Sequence, residues 1–314
     1  MSMISPDDIE RAAARIAPHV RETPAMALER QAFGVNAAVT LKLEHLQHTG
    51  SFKPRGAFNR ILSNQVPAAG VIAASGGNHG LATAFAARGL GHRAEIFVPE
   101  ISSPVKIARL RDYGAVVNVG GATYAEAFIA SETRVKQTGA LVVHAYDQPE
   151  VLAGQGTVGR EFERQAPGLD TILVAVGGGG LIGGIAAWHQ GRTRIVGVEP
   201  EAAPSLACAL EAGTPVDVAV GGVAADSLGA KRVGDLMFAI AQKHIERTVL
   251  VADGAIRAAQ RALWETLRIA AEPGGATAMA ALLSGAYKPE PDERVGVLIC
   301  GGNVDPVQLV EKVP

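Results

Sequence analysis

Lys53 stands where an ordinary cation is misplaced. It belongs to Ser51-Phe52-Lys53-Pro54-Arg55-Gly56-Ala57, which follows an alternating apolar run at 39–44 that reads as a strand. Residues 57–62 continue with helical spacing. Ser51 is the expected N-cap, and Pro54 falls in the first turn, where a missing N–H costs nothing. Lys53 is thus at the positive end of a helix dipole. A lysine kept there is either held out in solvent or is not an ordinary ammonium.

The glycine-rich turns narrow the choice. A strand at 171–176 runs into Gly177-Gly178-Gly179-Gly180-Leu181 and then a helix. Four successive glycines let several backbone N–H groups point one way at a helix start, which makes a phosphate site. Ser75-Gly76-Gly77-Asn78-His79 follows another short strand and offers backbone donors, a hydroxyl and an amide, suited to a carboxylate or phenolate oxygen. Cys300 closes a third apolar strand with a small neutral sulfur. A competing reading takes Gly178-Gly179-Gly180-Leu181-Ile182-Gly183 as a dinucleotide fingerprint with Glu199 as its acid, and hence an NAD-dependent dehydrogenase. That reading leaves Lys53 and the Ser75–Asn78 turn unused. A phosphate cradle, a carboxylate loop, a neutral sulfur and a lysine at a helix start together describe a site for pyridoxal phosphate.

The elements that must hold these residues are legible as a rhythm. Short apolar strands near 71–74, 94–98, 115–119, 141–143, 171–176, 194–198, 248–251 and 295–299 alternate with helical stretches, while 216–234 resists assignment. Such alternation implies right-handed crossovers and mostly parallel open sheets flanked by helices, an α/β fold. In such sheets the ligand sits at the carboxyl ends of the strands, so the three turns can converge on one crevice. The rhythm restarts near Asp147, and the expected organisation is two-lobed. A large cofactor-binding domain spans 1–49 and 148–314, and a small substrate-side domain spans 50–147, with a first boundary as late as about 70.

Composition bounds the rest. The 314 residues are 48% hydrophobic and 19% charged, with net charge −2, which offers no electrostatic case for nucleic acid or anionic membrane. Two distant cysteines, Cys208 and Cys300, give neither a disulfide framework nor metal spacing, and the N-terminal segment has no leader pattern. A cytoplasmic globular protein is expected.

Taken in order, six motifs resemble the fold-type II pyridoxal phosphate enzymes of the threonine/serine dehydratase and serine racemase group. They are Ser51–Ala57, Ser75–Gly80, Gly154-Gln155-Gly156-Thr157, Gly177–Leu181, Glu272-Pro273-Gly274-Gly275-Ala276 and Cys300-Gly301-Gly302-Asn303. The resemblance covers about 5 to 310 and implies a tryptophan synthase β-like, two-lobed fold. It implies Lys53 as the catalytic lysine joined to the cofactor aldehyde, with Phe52 beside it against the ring. Asn78 faces the phenolic oxygen, Gly177, Gly178, Gly179, Gly180 and Leu181 hold the phosphate, Glu272 lies on the cofactor side, and Cys300 faces the pyridine nitrogen. Ser75, Gly76, Gly77, Asn78 and His79 take the substrate. Two departures stand out. Gly76 replaces the serine that racemases use as acid/base on the face opposite the lysine. Ser205 replaces the second acid of a cation site for which Glu199 supplies the first, which puts a divalent cation there in doubt. With the resemblance ending near Asn303, the regulatory domain of biosynthetic threonine dehydratases is not expected. The implied activity is α,β-elimination of a β-hydroxy-α-amino acid, L-threonine or L-serine first, to a 2-oxo acid and ammonia. Phenylserine, 3-hydroxyaspartate and serine racemisation are the alternatives, and a homodimer is the expected assembly.

Overall fold

The computed structural model describes residues 3–305 and 307–310. Met1 and Ser2, at the head of the N-terminal segment read above, and residues 306 and 311–314 of the expected large domain lie outside the described residues.

The chain opens with α1 (Pro6–Ile16), started by a reciprocal cap in which Ser5 Oγ accepts from the Asp8 N–H while the Asp8 carboxylate accepts from the Ser5 N–H. Strands β1 (Ala25–Ala27) and β2 (Ala38–Lys42) pair antiparallel. Helix α2 (Pro54–Leu62) leads into β3 (Val71–Ala74), α3 (Asn78–Gly89), β4 (Ala94–Val98), α4 (Pro104–Asp112), β5 (Val116–Val119), α5 (Tyr124–Thr138) and β6 (Leu141–Val142). A second run comprises α6 (Pro149–Gln165), β7 (Thr171–Ala175), α7 (Gly180–His189), β8 (Arg194–Pro200), α8 (Ser205–Ala212) and α9 (Ala225–Leu228). It continues through α10 (Asp235–His244), β9 (Arg247–Val251), α11 (Asp253–Leu267), α12 (Pro273–Ser284), β10 (Arg294–Leu298) and α13 (Val307–Val310).

The strands form two sheets. One has the order β5-β4-β3-β6 and is parallel throughout. The other has the order β1-β2-β10-β7-β8-β9 and is parallel except for β1. Buried Ala, Val, Leu and Ile on both faces of the central strands account for their near-continuous apolar runs. The largest core packs α6, α7, α11 and α12 on the six-stranded sheet, and a second packs α2 and α3 against the four-stranded one. The α/β class with mostly parallel sheets flanked by helices is therefore the observed one.

One local expectation fails. Ser51 does not cap α2, because Lys53 itself is the residue at the helix start, with φ −55° and ψ −33°. Ser51 instead forms an antiparallel bridge with Gly301, and the Phe52 N–H donates to the Cys300 carbonyl at 3.2 Å. Pairing with a distant strand end outcompetes the local cap. The apolar run at 39–44 also ends early as a strand, since Glu44 begins a short 3₁₀ turn, Glu44–Leu46. The unassigned stretch 216–234 holds only the four-residue α9.

Candidate active site

Lys53 lies half-buried at the start of α2, and its Nζ donates to the carbonyl of Ala145, in the chain that follows β6, at 2.8 Å. The Phe52 ring stands 5.1 Å from the same Nζ. Removal from water pulls the Lys53 pKa down to about 8, opposed by the nearby Cys300 and Glu272. Lys53 is thus a partly buried, hydrogen-bonded lysine and not a solvated surface ammonium.

The turn after β3 meets the turn after β10. Asn78 does not cap α3, whose N-cap is Gly77. Its Nδ2 donates to Glu272 Oε1 at 2.6 Å, and its Oδ1 accepts from Asn303 Nδ2 at 2.7 Å. Asn303 also donates to the Thr49 carbonyl at 2.7 Å and accepts from Arg109 Nη2 of α4 at 3.0 Å. The amide of Asn78 is thereby fixed in one orientation. Burial pushes the Glu272 carboxyl up to about 7, the hydrogen bond from Asn78 opposing the shift. The Cys300 thiol donates to the Gly274 carbonyl at 3.5 Å, and burial pushes its pKa well up, so the sulfur stays neutral. A Cβ on Gly301 would stand 2.1 Å from Glu272 Oε1, so any larger residue there would displace that carboxyl from Asn78.

Ser75 Oγ accepts from the Gly77 N–H at 3.2 Å, so this hydroxyl shapes the loop. The His79 ring is committed elsewhere: Nε2 donates to the Val143 carbonyl at 2.8 Å. Burial, with Lys53 close by, drives its pKa down to about 3 and keeps the ring neutral. Gly76 faces Ser102, whose Oγ would be 3.1 Å from a Cβ at that position.

The glycine turn after β7 has the form of an anion cradle. The N–H groups of Gly177, Gly178, Gly179, Gly180 and Leu181 find no acceptor among the described residues. Gly179 is left-handed at φ +87°, and a Cβ on Gly178 would come 2.2 Å from Tyr146 Cδ1. Unpaired donors at the α7 N-terminus fit a phosphate, and the neighbouring amine, amide and thiol fit the aldehyde, phenolic oxygen and ring nitrogen of pyridoxal phosphate.

Glu199 sits apart from these groups. Its carboxylate accepts from the Leu206 N–H at 2.7 Å and the Ala207 N–H at 2.8 Å at the start of α8. Ser205 Oγ donates to the Gly177 carbonyl at 3.0 Å and lies 3.4 Å from Glu199 Oε1. Glu199 thus braces a helix behind the glycine turn, which also removes the acid that the dinucleotide reading needs. Among the described residues no cluster of three or more His, Cys, Asp or Glu is placed to hold a metal ion.

Sequence reasoning missed Ala145, Tyr146, Arg109 and the role of Asn303 as a junction. It also missed Lys106 of α4, whose Nζ meets Asp226 Oδ1 of α9 at 2.5 Å. A carbonyl contact carries no residue-type signal, and the others depend on pairings between remote parts of the chain.

Comparison with known proteins agrees with this chemistry. The profile of the family described as pyridoxal-phosphate dependent enzyme matches residues 16–301. The L-threonine ammonia-lyase of Geobacter sulfurreducens is 39% identical, over 95% of this chain and 75% of its own length. The phenylserine dehydratase of Ralstonia pickettii is 36% identical, over 93% of this chain and 91% of its own. Among solved structures, maize serine racemase superimposes with a TM-score of 0.92 at 33% identity, covering 98% of this chain and 96% of that one. A lysine amine, an anion cradle and a fixed amide are brought together in a chain that this profile matches almost end to end, and the protein belongs to the pyridoxal-phosphate dependent enzyme family.

Proposed function

We propose that the protein is an ammonia-lyase that converts a β-hydroxy-α-amino acid to a 2-oxo acid and ammonia by α,β-elimination. The observation that carries this reading is Lys53, an amine with a pKa near 8 beside five unpaired N–H groups and a neutral thiol. Pyridoxal phosphate, when bound, supplies a carbonyl for amines and a conjugated ring that draws electrons from Cα. The chain's own groups do the rest. Gly177–Leu181 N–H groups bind the phosphate, Phe52 and Asn78 orient the ring, and Glu272 holds Asn78. The Ser75–His79 turn receives the substrate carboxylate through its backbone donors. Lys53, once free, takes the proton from Cα as general base. The β-hydroxyl departs, the net loss from the amino acid being water, and the resulting enamine hydrolyses to the oxo acid and ammonia.

The neutral Cys300 thiol would offer the ring nitrogen of bound pyridoxal phosphate only a weak partner, and the weaker electron sink this would give suits elimination of the β-hydroxyl. Gly76 carries no side chain to return a proton to the face opposite Lys53, which disfavours racemisation. The proposal extends to the assembly: a substrate-side domain over 50–147, a homodimer, and a cytoplasmic setting. Among the described residues no helix is long and apolar enough to cross a membrane.

The test is a visible spectrum of the purified protein before and after borohydride, with ammonia release from L-threonine and L-serine. A yellow protein whose covalent cofactor is lost in Lys53→Ala, and which releases ammonia, supports the reading. A colourless protein that binds NAD overturns it.

A further inference from the structure

A recess of about 290 Å³ lies between α5 and the chain that runs from β6 towards α6. Its lining is mainly apolar, from Ile72 and Ala74 of β3, Phe128 and Val135 of α5, and Val143. It shares a wall with the surroundings of Lys53. Ala145, whose carbonyl accepts from Lys53 Nζ, lines it, as do His79 and His144, both held towards the neutral form in part by the Lys53 charge.

Aromatic rings run along this wall in a chain. Tyr124 stacks on Phe128 with centroids 6.2 Å apart, Phe128 meets His144 edge-on at 6.4 Å, and His144 meets Tyr146 edge-on at 4.7 Å. Tyr146 is the residue packed against Gly178 of the anion cradle, so the rings lead from the recess to the place of the phosphate. Tyr124, at the far end of the chain, is 52% exposed.

Size and chemistry select the occupant. A cavity of about 150 Å³ lined by apolar side chains suffices to hold benzene. The hydrogen or methyl at Cβ of serine or threonine would leave this recess almost unfilled, whereas a phenyl ring would fill much of it against Phe128 and His144. A carboxylate would find no buried cation, since Lys136, which also lines the recess, is exposed and shares it with Glu132.

We propose that this recess receives the β-substituent of the substrate, and that the enzyme works best on β-hydroxy-α-amino acids bearing an aromatic ring, of the 3-phenylserine class. The proposal rests on the ammonia-lyase reading above and names the substrate within it. An apolar pocket rejects smaller analogues only weakly, so L-threonine remains a substrate with a lower kcat/KM.

The experiment is steady-state ammonia release by the holoenzyme from L-threo-3-phenylserine, L-threonine, L-serine and 3-hydroxyaspartate. The phenylserine kcat/KM should exceed that of threonine by about tenfold or more. Ser131→Phe and Val135→Trp each place a ring inside the recess, the second serving if the first does not fold, as judged by visible circular dichroism of the bound cofactor. Either should lower the phenylserine-to-threonine ratio of kcat/KM by about tenfold. A threonine kcat/KM equal to or above that of phenylserine, a preference for 3-hydroxyaspartate, or an unchanged ratio in the folded variants overturns the proposal. Ammonia from threonine with none from phenylserine sinks this inference alone. No ammonia from any of the four sinks the reaction reading with it.

Discussion

Arg55 and Glu44 form a doubly hydrogen-bonded ion pair inside the protein, Nε to Oε2 at 2.9 Å and Nη2 to Oε1 at 2.7 Å. The same guanidinium reaches both oxygens of Glu161 at 3.0 Å, and Lys42 Nζ meets Glu161 Oε1 at 2.5 Å. The cluster ties the first turn of α2, two residues beyond Lys53, to β2 and α6. Deleting one member strands the others' charge in a buried site. Arg55→Leu should therefore cost about 3–5 kcal/mol in urea unfolding, with cofactor occupancy falling alongside. A loss of under about 1 kcal/mol would mean that the cluster relaxes or hydrates once Arg55 is gone.

The cradle has no room for side chains. Gly178→Ala would press a methyl group into the Tyr146 ring, 2.2 Å from Cδ1. Rebinding of pyridoxal phosphate by the stripped protein should weaken about tenfold or more, roughly 1.4 kcal/mol. Adding Tyr146→Ala should restore part of the loss. Equal affinity in Gly178→Ala and the unaltered protein would show that the phosphate sits elsewhere.

Glu199 gives a pH dependence of definite sign. Burial raises its pKa to about 7 from an ordinary 4.5, against the pull of the Leu206 and Ala207 N–H groups. Below the unfolded value the carboxyl is protonated in both states and its contribution is fully present. As pH rises through about 7 the folded protein must ionise a buried acid, and that contribution is lost. Glu272 is shifted in the same direction for the same first cause. The melting temperature of the unaltered protein should therefore fall, relative to Glu199→Gln, between about pH 5 and pH 8. Parallel curves would contradict the raised value.

Racemisation tests Gly76. L-Serine should be eliminated with little D-serine appearing, and Gly76→Ser should raise D-serine relative to pyruvate. The new Cβ needs Ser102 Oγ, 3.1 Å away, to yield by only a few tenths of an ångström. Chiral analysis of serine left after partial turnover decides the matter. Abundant D-serine from the unaltered enzyme would assign the missing proton to another group, with the Ser102 hydroxyl the first to mutate.

What the chain declared in advance follows physical range. Strands β3, β4, β7 and β10 are short apolar runs ended by glycine or polar turns, and that pattern is local, so it is visible in the letters alone. Strand β1 is three residues long and exists only because Met26 faces Leu41. Ser51 reads as a cap because the neighbouring residues say so, yet its partner is Gly301. The same limit hid the junction at Asn303, which joins Thr49, Asn78 and Arg109 across most of the chain. The types of the site residues were legible, but their fixed orientations were not.

Strand β10 lies between β2 and β7 in the six-stranded sheet. A ribosome delivers β10 long after β2, so β2 waits for its parallel neighbour while some 250 residues are made. The four-stranded sheet draws all its strands from 71–142 and can assemble on the nascent chain. Lys53 reaches its final setting only when Gly301 has emerged to pair with Ser51, so a segment made some 250 residues later locks the centre of the molecule.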